Sequence, residues 1–201
     1  MRMCCASEAR RSIFMSEFEK MISGQLYNAK VPQLREMRLR AALLCHQLEQ
    51  LSPAEEEKRT ALLRELLGSV KGSLTVNPGF RCDYGGNITV GDNFYANYNC
   101  VILDCAPVTF GDNVLIAPNC GFYTAGHPLD APTRSSGLEF AKPITVGNDV
   151  WFGGSVTVLP GVTIGDGCVI GAGSVVTRDI PAGMVAVGNP CRPIKPAEER
   201  K

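Results

Sequence analysis

The sequence predicts a mainly β chain, a solenoid of stacked coils with a helical segment in front of it. Three observations point there. First, the chain repeats every six residues, as in VTIGDG, CVIGAG and SVVTRD over residues 162 to 179. Second, likeness is greatest between every third unit, so ITVGDN at 88, VTFGDN at 108, ITVGND at 144 and VTIGDG at 162 form one column. Third, Leu34, Met37, Ala41, Leu44, Leu48 and Leu51 keep the alternating three-and-four spacing of one helix face.

Residues 1 to 14 carry three arginines and no apolar stretch of signal-peptide length, and read as a flexible extension. Residues 15 to 71 read as the helical segment. Pro32 sits near the start of its main helix. SPAE at 52 to 55 reads as a capping box, with Ser52 accepting from the first turn and Glu55 reaching back. It would open a second helix running to about Ser69, with Leu62, Leu63, Leu66, Leu67 and Val70 as its apolar surface.

Residues 72 to 190 read as the solenoid and 191 to 201 as a tail. The second column holds FYANYN, VLIAPN, VWFGGS and CVIGAG; the third holds CVILDC, CGFYTA, VTVLPG and SVVTRD. Three units make one 18-residue coil, a triangle of three short strands and three turns. Ile164 would point inward, and Gly165 or Ala117 would let the chain turn. Each coil buries its apolar column only against its neighbours.

Bulk properties narrow the function. Twenty basic residues balance 20 acidic ones, which gives no broad electrostatic case for nucleic acid or an anionic membrane. No apolar run approaches the roughly 20 residues of a membrane span. The nine cysteines are scattered without a CxxC pair, as expected of free thiols in a reducing cytoplasm and not of a zinc site.

The ladder breaks twice. Two residues are inserted between Ile102 and Phe110. Eighteen extra residues, GHPLDAPTRSSGLEFAKP at 126 to 143, leave the prism between Phe122 and Val146. Chemistry tends to sit on loops carried by a rigid scaffold. This one holds His127, one of two histidines in the chain; the other, His46, lies off the apolar stripe of its helix. An imidazole near neutral pKa can take a proton from an alcohol.

The ordered motifs MISGQLYN with LREMRLRA, FRCDYGGN, NFYANYN, TAGHP, KPITVGNDVWFGG and GNPCRPI resemble those of the maltose and galactoside O-acetyltransferases, hexapeptide-repeat acyltransferases. The resemblance covers the chain from about Met15. It implies a left-handed parallel β-helix and acetyl transfer from acetyl-CoA, without a metal, to a hydroxyl of a sugar such as maltose, glucose or a related glycoside. His127 aligns with the family's catalytic histidine and would be the general base. Glu139 matches a loop glutamate that would orient His127 or touch the substrate. Asp83 and Asp104 lie in motifs that bind acceptor hydroxyls, and Asn97 near both acceptor and acetyl group; some relatives have a second acid where this chain has Cys105.

On the acetyl-CoA side the resemblance implies Trp151, Gly154 and Ala172 along the prism wall. Thr177 and Arg178 follow, with Arg192 and Lys195 near the phosphates. It also implies a homotrimer with sites between subunits. Two other readings remain open. One is an acetyltransferase for a non-sugar acceptor: a xenobiotic, an amino acid or an amino sugar. The other is a hexapeptide scaffold without catalysis. A γ-type carbonic anhydrase would need three zinc-binding histidines.

Overall fold

The computed structural model describes residues 15 to 197. It is a parallel β-prism with three faces. The first face stacks Ser69–Val70, Ile88–Val90, Val108–Phe110, Ile144–Val146 and Thr163–Ile164. The second stacks Leu74–Val76, Phe94–Ala96, Leu115–Ile116, Trp151–Phe152, Val169–Ile170 and Met184–Val187. The third stacks Arg81–Cys82, Val101–Leu103, Gly121–Tyr123, Thr157–Val158 and Val175–Val176. This is the left-handed β-helix architecture of hexapeptide acyltransferases.

The period-two pattern of each strand sets what is inside. On the first face Ile88, Val90, Val108, Phe110, Ile144 and Val146 are buried, while Thr89, Thr109, Thr145 and Thr163 form an exposed threonine row. Inside, Phe94, Phe110, Phe122 and Phe152 pass from face to face with ring centroids 5.2, 5.0 and 5.1 Å apart. Tilted and edge-on rings of this kind fill a narrow prism without voids.

The small fourth residue of a hexapeptide is required by stacking. A Cβ on Gly165 would lie 2.5 Å from the Ala182 nitrogen, and one on Gly147 would lie 2.2 Å from Asp166 Oδ1. The left-handed turn comes two residues later, at Asn93, Asn113, Asp149 and Gly167. Asparagine tolerates this conformation. It also reaches the next coil, as Asn93 donates to Asn113 Oδ1 at 3.0 Å and Asn113 to Asp149 Oδ1 at 2.9 Å.

The helical segment comprises α1 (Glu17–Ile22), α2 (Pro32–Gln50) and α3 (Glu56–Leu66). In α2 the expected stripe buries Leu34, Ala41, Leu44 and Leu48, and Pro32 opens the helix. The expected capping box differs. Glu55 does reach back to the Ser52 N–H at 3.0 Å, but Ser52 Oγ takes the Ala54 N–H, so Ser52 to Glu55 close a separate turn and α3 starts at Glu56. The helix also ends sooner than expected, because Ser69–Val70 already pairs with Thr89–Val90 as the first strand of the prism. At the join, the buried Arg59 donates to the carbonyls of Leu48 and Val76 at 3.0 and 3.2 Å. It thereby satisfies an orphan carbonyl at the end of α2 and ties both helices to the prism.

At the other end, Arg192–Pro196 folds back as an antiparallel strand on Met184–Val187. This replaces the expected tail as far as Pro196. The expected extension at 1 to 14 lies outside the described residues.

Candidate active site

The excursion after the third face is a small antiparallel arm. Ala125–Gly126 pairs with Leu138–Ala141, which pairs in turn with Tyr27–Asn28 from the helical segment. A short helix, α4 (Ala131–Ser135), closes the arm. Asp130 Oδ2 caps it by accepting from the Thr133 N–H at 2.9 Å, and Arg134 donates to the carbonyls of Pro128 and Leu129. The charged residues of the loop thus hold its shape.

His127 follows Gly126 directly and is exposed. The arm pairs Ala125 with Ala141 and Gly126 with Phe140, and continuing this register sets His127 opposite Glu139. The Glu139 carboxylate nevertheless accepts from the Tyr27 hydroxyl at 2.9 Å. Among the described residues it makes no hydrogen bond to His127.

Below the arm lies the corner between the third and first faces. Here Asp83 is half-buried, and the Cys105 thiol donates to its Oδ2 at 3.4 Å. Burial raises the Asp83 carboxyl above the usual carboxylate range, while the Cys105 thiol and the Arg38 guanidinium pull it down. Arg38 reaches in from α2, donating to the Tyr84 hydroxyl and the Ala29 carbonyl at 2.6 Å each. Burial pushes the Tyr84 phenol up to about 12 and the Tyr27 phenol higher still. Both therefore keep their protons at neutral pH. Tyr27, Arg38 and Tyr84 were missed as site residues by sequence reasoning; Tyr27 and Tyr84 stand within MISGQLYN and FRCDYGGN, which is the signal that marks them.

Asp104 corrects the sequence reading. Its side chain is fully buried, and its carboxylate accepts from the backbone N–H groups of Asp83, Tyr84 and Asn87 at 3.0, 2.8 and 3.3 Å. The wide corner around Asp104 leaves buried N–H groups that need an acceptor, and this carboxylate supplies it, bracing the wall. Cys105, the next residue, is the one beside Asp83.

The remaining predicted residues lie elsewhere. Asn97, Gly154 and Ala172 line the corner between the second and third faces. Asn97 Oδ1 accepts from the Tyr98 N–H at 2.8 Å and from Asn77 at 3.3 Å, so it is also a turn residue. At Gly154 an added Cβ would meet only the Pro118 carbonyl at 3.5 Å, and Ala172 is exposed, which leaves an open track. Trp151, 53% exposed, stands on the second face between Leu115 and Val169. Thr177 and Arg178 share the corner of His127, further along the prism. Arg192 and Lys195 are exposed on the closing strand. Among the described residues, Arg178, Arg192 and Lys195 make no ion pair. Exposed cations without an ion-pair partner can meet anionic phosphate groups. No group of three metal-binding side chains occurs among the described residues, and no helix there is long and apolar enough to cross a membrane.

Known proteins share this fold. Residues 20–72 match the maltose acetyltransferase hexapeptide capping motif, and residues 143–178 match the bacterial transferase hexapeptide repeats. Galactoside O-acetyltransferase of Escherichia coli is 46% identical, over 90% of this chain and 90% of its own length. A maltose O-acetyltransferase from Clostridium difficile superposes with a TM-score of 0.91 at 51% identity, covering 92% of this chain and 99% of that one. A hexapeptide-repeat acetyltransferase of Vibrio cholerae, solved with acetyl coenzyme A, superposes with a TM-score of 0.85 at 39% identity, covering 92% of this chain and all of that one. The capping-segment match, the identity to galactoside O-acetyltransferase and the superposition on a maltose O-acetyltransferase place this chain in the maltose and galactoside O-acetyltransferase family, as an acetyl-CoA-dependent O-acetyltransferase.

Proposed function

We propose that the protein acetylates a hydroxyl of a sugar, with maltose, glucose and related glycosides as the acceptor class, and that His127 is the general base. The observation that carries this reading is the exposed His127 above a wall of polar side chains, Asp83, Tyr27 and Glu139. A sugar hydroxyl is far too weak an acid to ionise at neutral pH, so it needs a base as it attacks. The Asp83 carboxylate accepts from a neighbouring hydroxyl and orients the ring. Glu139 holds Tyr27 and borders the same space. Acetyl-CoA, when bound, supplies an activated thioester open to a hydroxyl. Among the described residues no cysteine or serine is hydrogen-bonded to His127, so direct transfer in a ternary complex is the simpler path.

The cofactor side would be made by Asn97, Trp151, Gly154, Ala172 and Thr177, with Arg178, Arg192 and Lys195 toward the phosphates. Asn97, Gly154 and Ala172 lie on a different corner from His127, so the two halves of a site meet when copies pack side by side. The row of half-buried Tyr95 and exposed Leu115 and Trp151 on the second face supports such packing, in contrast to the threonine row of the first. We therefore assign a homotrimer with sites between subunits. The free thiols of all described cysteines support work in the cytoplasm.

A thiol-release assay with acetyl-CoA and a panel of maltose, glucose, galactosides and amino sugars tests the acceptor. Release that depends on a neutral sugar supports the reading, while release only with an amine or a non-sugar hydroxyl reassigns the acceptor. Arg192→Ala should raise the apparent KM for acetyl-CoA by about tenfold, the worth of one charge-assisted phosphate contact, and leave the KM for the sugar near its wild-type value. The opposite pattern would move Arg192 to the acceptor side.

A further inference from the structure

The join between the helical segment and the prism contains a pair of thiols that the acetyl-transfer reading does not use. Cys45 lies on the inner face of α2 and is 1% exposed. Cys82, half-buried, lies on the strand Arg81–Cys82, against which α2 packs. Their sulfurs are 3.9 Å apart and hydrogen-bonded. The other thiols with a recorded partner face oxygen: Cys105 meets Asp83, Cys120 the Gly153 carbonyl and Cys168 the Pro181 carbonyl.

We propose that Cys45 and Cys82 are a disulfide-forming site, closed by a peroxide-class oxidant, that fastens the helical segment to the prism. A disulfide needs the sulfurs about 2.0 Å apart, so the 3.9 Å contact must close by side-chain rotation and any small shift of α2 against the strand. Elements remote in sequence already present the two thiols to each other. The pair is also chemically primed. The contact with Cys82, in which either sulfur can donate, pulls the ionisation of Cys45 down despite its burial, with the Arg81 guanidinium adding to the pull and Glu49 opposing it. The hydrogen bond to Cys45, together with burial, in turn pushes the Cys82 thiol up.

The thiolate of Cys45 attacks one peroxide oxygen. An S–O bond forms, the O–O bond breaks, and the departing hydroxide takes up the proton that the thiol released, giving water. The Cys82 sulfur then displaces the hydroxyl of the resulting sulfenic acid, and that hydroxyl leaves with the Cys82 proton as a second water. Two thiols give up two electrons, and one peroxide becomes two waters. The bond closes a loop running from α2 through α3 to the first coil, so it restrains the unfolded chain.

The test is a peptide map. Fully reduced protein is treated with hydrogen peroxide under native conditions, then alkylated in denaturant, digested and weighed. The expected product joins the Cys45 and Cys82 peptides and is lighter by two hydrogens than their sum. The apparent Tm of the treated protein should rise by about 5 °C or more. A thiol reductant should reverse the rise, and Cys82→Ser should not show it. Three results overturn the proposal: both cysteines still alkylating after treatment, a disulfide joining another pair, or a link found only between subunits. Because the map is made on the wild-type protein, it decides even if the variant fails to fold.

Discussion

Replacing His127 with alanine is expected to lower kcat by a factor of about 10² to 10⁴ while leaving the fold intact. The loss follows from the acceptor's chemistry: without a base, the hydroxyl must shed its proton to water in the transition state. The intact fold follows from position. His127 stands exposed on the arm, and among the described residues its side chain takes part in no hydrogen bond or ion pair. Surface substitutions of this kind shift stability by about 0.5 kcal/mol or less. Turnover and thermal melting of the same preparation check both halves, with calorimetry of acetyl-CoA binding to show that the cofactor still docks. A variant that turns over at the wild-type rate removes His127 from the mechanism. One that melts early makes it a structural residue instead.

Asp104→Ala should do the reverse and cost stability before chemistry. Its carboxylate serves three backbone N–H groups in the corner that carries Asp83. Leaving a buried donor unpaired costs roughly 1–3 kcal/mol, so the variant should lose about 3 kcal/mol or more, or about 6–12 °C of Tm in a chain of this size. Asp104→Asn should lose less, since its amide oxygen can still accept from Asp83 and Tyr84. The same residue makes a pH prediction. Burial pushes the Asp104 carboxyl up to about 6, against the pull of the backbone donors. The folded protein therefore holds a proton that the unfolded chain releases between about pH 4 and 6. This contribution to stability grows as pH falls through that window and is lost as pH rises. Asp104→Asn has no carboxyl to titrate, so the wild type should lead it by more near pH 4.5 than near pH 7. Equal pH dependence in the two proteins would mean that the three donors, and not burial, govern the group.

Asp83 and Asp104 both read as acceptor-binding carboxylates, because the family resemblance puts each in a motif that binds acceptor hydroxyls. Only the backbone around Asp104 distinguishes them. Cys105 shows the same point from the other side: as a lone letter beside an aspartate it has no evident role, and in space it is the partner of Asp83.

The sequence by itself determined the prism, its faces and the point where the arm leaves it. These rest on periodicity, and a six-residue period that puts Val90, Phe110, Val146 and Ile164 in one buried row has few other ways to fold. It also determined the apolar face of α2 and singled out His127, since a break in a regular ladder is visible without coordinates. Tertiary structure decided the start of the prism at Ser69, the separate turn at Ser52 to Glu55, the inward role of Asp104, and the binding of Tyr27 by Glu139. It alone brought Cys45 to Cys82. The physical reason is common to all of these: hydrogen bonds and thiol contacts between residues remote in the chain depend on which backbone groups a corner leaves unpaired and which side chain packing carries within about 3–4 Å of them, and neither is encoded in local period or composition.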